Sequence, residues 1–194
     1  MPGKKAYHHG NLRNVLLGAA IEVIAEEGPK GFTLREIARR AGVSHNAPYR
    51  HFRSKEELIA AVAAQGFREL DQALRAAVRE LSGPRDRLKA SGLAYVAFAL
   101  RRPAHFAVMF DAPVGSRESR ERTEAAEAAF GNLMKAVTDW LAEDKRTSDD
   151  PFDRALIAWS LVHGIAKLAI AGRFPFRAKA KVLKFTDSAI RGFL

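Results

Sequence analysis

The chain contains no cysteine. That excludes a disulfide framework, a thiolate metal knuckle and a thiol nucleophile. It also lacks any uninterrupted apolar run near the ~18 residues a membrane span needs. The N-terminus has no apolar stretch of the kind that opens a secretory signal, so a cytoplasmic protein is expected. β-branched residues are sparse and strand-type alternation is nearly absent. No nucleophile, base and orienting group recur at a catalytic spacing, and no Gly-rich phosphate loop is present. His105 and Asp111 lie near each other without a third partner, so the sequence does not read as an enzyme. No carboxylate or Cys stands at ligand spacing from His8 and His9. They read as part of a mobile arm rather than a metal tract, and no metal or cofactor is expected.

What is present is positive charge and helical periodicity. The 194 residues carry 32 Lys and Arg against 22 Asp and Glu, a net charge of +10. The charge is uneven: residues 1 to 55 hold ten cations and four acids, and the other 139 residues contribute only +4. A basic head of this kind suggests a polyanionic partner, nucleic acid first and membrane surface second. Apolar spacing and turn residues predict helices at about 11–27, 34–41, 55–81, 85–101, 103–110, 118–143, 152–171 and 178–192. The fold class is all-α.

Residues 33 to 52 concentrate the chemistry. Thr33 followed by Glu36 is a capping box for a short helix carrying Leu34, Ile37, Ala38 and Ala41 on one face. Gly42 stops that helix, and Ser44 is expected to cap a second short one. This is a helix-turn-helix pattern held together by Leu34, Ile37, Ala38, Val43 and Phe52. Thr33, Arg35, Arg39, Ser44, His45, Asn46, Tyr49, Arg50, His51 and Lys55 are left to face outward. Such a unit places the second helix in the DNA major groove and grips phosphates around it. Arg39 and Arg40 read equally as solvated face or phosphate contact, and Lys4 and Lys5 as an arm that tracks phosphates. Pro48 is the discordant residue. As the fourth helical position it removes at most one hydrogen bond, to the Ser44 carbonyl, and it biases Ala47 away from helical geometry. A distorted or late-starting first turn is expected.

The stretch TLREIARRAGVSHNAPYRHFRSKEEL, residues 33 to 58, resembles the DNA-binding signature of the TetR/AcrR family of bacterial transcriptional regulators. The preceding YHHGNLRNVLLGAAIEVIAEEGPKGF is similar to that family's first helix. AWSLVHGIAKLAIAGRF resembles a Trp-His-Gly signature of one C-terminal subgroup, carried here by Trp159, His163 and Gly164. The resemblance implies a three-helix DNA-binding head over residues 1–55, a connecting helix from about 55 to 81, and a helical effector-binding and dimerisation domain over 82–194. Carried over by position, Thr33, Ser44, Tyr49, His51 and Lys55 would contact phosphates. His45, Asn46 and Ala47 would read base edges, and Arg35 would do either. The expected function is a repressor released from a palindromic operator by a small organic effector. An activator, or an architectural DNA binder without effector, is the alternative.

In the body, residues 155 to 171 are apolar nearly all round and 178–192 adds Val182, Leu183, Phe185, Ala189 and Ile190. A homodimer interface through helices 152–171 and 178–192 is expected. Tyr95, Phe98, Phe106, Phe110, Trp159 and His163 are candidates for lining an effector pocket. Most of them read as plain core, and only some as pocket lining.

Overall fold

A computed structural model describes residues 9–29, 31–111, 119–145 and 148–194. Of the N-terminal arm expected over residues 1 to 10, the part through His8, with Lys4 and Lys5, lies outside the described residues, as do residues 112–118, while His9 and Gly10 belong to the first helix rather than to an arm. The described residues form eight α-helices and no strand: α1 His9–Glu27, α2 Leu34–Arg40, α3 Lys55–Val78, α4 Pro84–Arg101, α5 Pro103–Asp111, α6 Arg120–Glu143, α7 Pro151–Ile170 and α8 Lys179–Phe193. The all-α expectation holds, and most helix bounds fall within two residues of the periodicity. The exception in length is α3, which ends at Val78 rather than near Leu81.

The chain divides into two compact units. The first comprises residues 1–66 and 104–123, the second 67–103 and 124–194. This division does not coincide with the expected one at 55 and 82. The first unit keeps the opening of α3 and gains α5 because α5 packs into the head core. Val108 is fully buried in the cluster formed by Leu16, Val23, Phe32, Ile37, Phe52 and Val62. The approach of α3 to α5 is close: a Cβ on Gly66 would lie 2.7 Å from the Met109 Sδ.

Local chemistry sets the turns of this unit. Thr33 sits in extended backbone and its Oγ1 accepts from the Glu36 N–H at 3.2 Å, which caps α2. Gly42 adopts φ +67° just past the end of α2. The Val43 N–H then reaches the Ala38 carbonyl at 3.0 Å and the Gly42 N–H the Arg39 carbonyl at 3.2 Å, a Schellman closure that needs the positive φ. Ser54 Oγ accepts from the Glu57 N–H at 3.3 Å, and the Glu57 carboxylate accepts from the Arg53 N–H at 2.6 Å. The second capping box therefore reaches one residue further back than its reciprocal form.

In the second unit α4 packs against α7 and α8. Gly92 permits this, since a Cβ there would lie 2.6 Å from the Ile190 Cδ1 and 3.3 Å from the Val162 Cγ1. A second core forms around fully buried Trp140 with Leu88, Val137, Leu141 and Ala155. Asp187 of α8 fastens α4 by accepting from Lys89 at 2.9 Å, and it also pairs with Arg191 at 2.6 Å. The Lys89 hydrogen bond, with the charges of Arg191 and Lys89, holds the Asp187 carboxyl below its ordinary 3.8. A carboxylate depressed on folding contributes stability above its unfolded pKa and loses it as pH falls through the folded value. Asp187→Asn is therefore expected to lower the thermal midpoint at pH 7, and the gap to wild type should close below about pH 3.8. Melts at pH 7, 5 and 3 check this.

Candidate nucleic-acid interface

The recognition segment departs from the expected α-helix. The Ala47 N–H bonds the Ser44 carbonyl at 2.9 Å, so Ser44 to Ala47 form a turn. A single 3-10 turn, Pro48–Arg50, follows. Ser44 is thus not the N-cap; Ala47 holds that position, with no side-chain cap. Pro48 explains the change. It has no N–H to give the Ser44 carbonyl, which an α-helix would require, and the Ala47 N–H takes that acceptor instead. Ala47 itself stays helical at φ −61° and ψ −41°, against the usual pre-proline preference.

The segment is short, so its position depends on anchors. Pro48 and Phe52 are buried, and both the His51 and the Phe52 N–H groups bond the Pro48 carbonyl at 2.9 Å. Around these anchors most of the polar side chains are exposed. Thr33, Arg35, Ser44, His45, Asn46, Tyr49 and Arg50 are exposed, while Ala47, His51 and Lys55 are half-buried. Tyr49 is 51% exposed, unusual for an aromatic ring beside a complete core. The side chains of Arg35, His45, Asn46, Tyr49 and Arg50 make no hydrogen bond or ion pair with other described residues. Their donors and acceptors are open to a partner. Lys55 extends over the Phe32 ring, with Nζ 4.4 Å from its centroid. The ring holds the ammonium in place beside the segment.

One cation of the head, Arg40, is committed inside the protein. Arg40 makes a bidentate pair with Glu26 across α1 and α2, one arm at 3.0 Å. That contact pushes the Glu26 pKa down and the Arg40 pKa up. Arg40 is therefore a clamp between helices. Arg39 is more exposed and lies 3.6 Å from Glu36. Residue spacing does not reveal the Arg40 pairing, because Glu26 lies 14 residues away on a different helix.

The expected effector residues fall into both units. Phe106 and Phe110 pair within the first, with centroids 4.8 Å apart. Tyr95, Phe98, Trp159 and His163 belong to the second. There the Tyr95 hydroxyl joins two partners, receiving the Trp159 Nε1–H at 3.1 Å and meeting His163 Nδ1 at 2.9 Å. Burial raises the Tyr95 pKa, so the phenol stays neutral. Tyr95→Phe removes the shared partner and is expected to cost about 1 kcal/mol. Chemical denaturation followed by tryptophan fluorescence measures it. An open groove of about 530 Å³ elsewhere in this unit is lined by Ala77, Ala90, Leu93, Ala94, Ala97, Leu183, Lys184 and Asp187, none of them among the six candidates. Among the described residues no helix is long and apolar enough to cross a membrane, and no cluster of potential metal ligands occurs.

An exposed polar segment on buried anchors, in a basic helix-turn-helix head joined to a helical body, defines a DNA-binding transcriptional regulator. The family model for bacterial regulatory proteins of the tetR family matches residues 16–62, and the model for a tetracyclin repressor-like C-terminal domain matches residues 88–193. The chain belongs to the tetR family, whose members are DNA-binding regulators rather than enzymes. It is 38% identical over 78 residues to the HTH-type transcriptional regulator BetI of Brucella anthropi, a match spanning 40% of this chain and 40% of that relative. It is 33% identical over 127 residues to the HTH-type transcriptional activator FasR of Mycolicibacterium smegmatis, spanning 63% and 58% of the two. The match thus spans under two thirds of each of these curated relatives. A solved structure of a protein of unknown function from Rhodococcus sp. RHA1 aligns over 97% of this chain and 98% of its own, with TM-score 0.82 and 37% identity.

Proposed function

We propose that the protein is a repressor that binds a palindromic operator as a homodimer and leaves it when a small organic effector binds the body. The observation that carries the DNA contact is the set of uncommitted side chains Arg35, His45, Asn46, Tyr49 and Arg50 beside the Pro48 and Phe52 anchors. His45, Asn46 and Ala47 read bases in this account. Asn suits adenine in a bidentate pair and Ala suits a thymine methyl. Thr33, Ser44, Tyr49, Arg50, His51 and Lys55 hold phosphates, and Arg35 serves either.

Dimerisation through α7 and α8 is supported by what those helices leave outside. α7 buries Ala155, Ala158, Val162, Ile165 and Ala166, yet Ile157 and Leu168 remain about half exposed, as does Phe185 of α8. Large apolar side chains at such exposure suit a second copy of the chain. The effector is assigned to the aromatic side chains of the second unit, Tyr95, Phe98, Trp159 and His163. It acts only through its differential affinity for DNA-competent and DNA-incompetent states. The expected compartment is the cytoplasm, where the DNA lies.

Activation is the second reading, and the match to a relative named as an activator favours it. A reporter driven by a selected operator separates the two. Deleting the regulator raises expression under repression and lowers it under activation, and an effector should reproduce the direction of the deletion.

A further inference from the structure

We propose that Arg13 is a positioning residue for DNA binding, tying the recognition segment to the first turn of α6. The inference rests on the reading that residues 44–52 contact DNA. Arg13 lies on α1 and belongs to neither recognition element. Its Nη2 donates to the Glu121 Oε2 at 2.9 Å, and its guanidinium carbon lies 5.6 Å from the centroid of the Phe52 ring. Phe52 closes the recognition segment through its N–H bond to the Pro48 carbonyl. One guanidinium therefore touches both the closing ring of that segment and α6, which begins at Arg120 and continues unbroken to Glu143.

The chemistry suits arginine. A planar guanidinium offers a face to a ring and an edge to a carboxylate at the same time. Each contact is modest. The ion pair has side-chain exposures of 36% and 40%, where such pairs contribute little to global stability. The consequence lies in orientation. A turn and one 3-10 turn have little internal rigidity, so the ring that ends them sets where His45 and Asn46 point. Arg13 also has its charge matched by Glu121, which distinguishes it from a phosphate contact.

The test uses the full chain, with Arg13→Gln, Glu121→Gln, the double variant and Arg13→Lys. Each single Gln variant is expected to lose roughly tenfold in operator affinity. The slope of log affinity against log salt should stay unchanged, the double variant should lose no more than either single, and Arg13→Lys should keep part of the affinity. In the free protein, amide hydrogen exchange across 44–52 should quicken in both Gln variants, with exchange in the α4, α7 and α8 core unaltered. A slope reduced by about one in Arg13→Gln, with Glu121→Gln silent, would make Arg13 a phosphate contact and overturn the proposal. Unchanged exchange at 44–52 overturns it equally. Failure of the wild-type chain to select any operator would sink the DNA reading itself, and the exchange comparison, made without DNA, still decides the coupling.

Discussion

Phe52→Ala is expected to destabilise the head by about 3–5 kcal/mol and to abolish operator binding. The ring is 1% exposed and sits in the core with Leu16, Leu34, Ile37 and Leu58. Truncation leaves a cavity among side chains from three helices, which cannot all collapse into it. It also removes the anchor at one end of the recognition segment. Denaturant unfolding monitored by circular dichroism gives the stability, and a gel-shift assay gives the binding. Phe52→Leu keeps most of the apolar volume and should cost under about 1.5 kcal/mol. A loss below 1 kcal/mol for the alanine variant would mean the segment is held by something other than this ring.

Asn46→Ala carries the second large effect, on specificity rather than folding. Asn46 is exposed and bonds no other described side chain, so its removal leaves the head intact. A bidentate base contact contributes about 1–3 kcal/mol of discrimination, so the variant should relax choice at one base position while keeping its affinity for non-specific DNA. Lys55→Ala should do the reverse. Its ammonium meets phosphate in this account, so affinity should fall about equally for all sequences and the salt slope should drop by about one. Titrations at several salt concentrations, on cognate and mismatched duplexes, separate the two.

Much of this was legible in the sequence because it is local. The Thr33 cap, the Gly42 stop, the buried faces of α1 and α2 and the opening of α3 follow from spacing within a few residues. Pro48 announced a disturbed helix start, although the outcome is a turn and a 3-10 turn rather than a late α-helix. What escaped depends on partners far apart in the chain. Nothing in the spacing of α5 says that Val108 enters the head core, and nothing near Arg40 or Arg13 names Glu26 or Glu121. The lone Gly66 inside a helical pattern was the one available sign of a close approach, by α5. The body is less legible for a different reason. An aromatic side chain at helical spacing looks the same whether it fills a core or lines a pocket, as Tyr95 and Phe106 illustrate.

The most direct measurement is sequencing of the genomic fragments retained by the purified protein, run in parallel for wild type and Asn46→Ala. A palindromic motif for wild type, with one position per half-site degraded in the variant, is the predicted result. Recovery of fragments with no shared motif, or an identical motif from both proteins, would contradict the assignment of the 44–50 surface to base recognition.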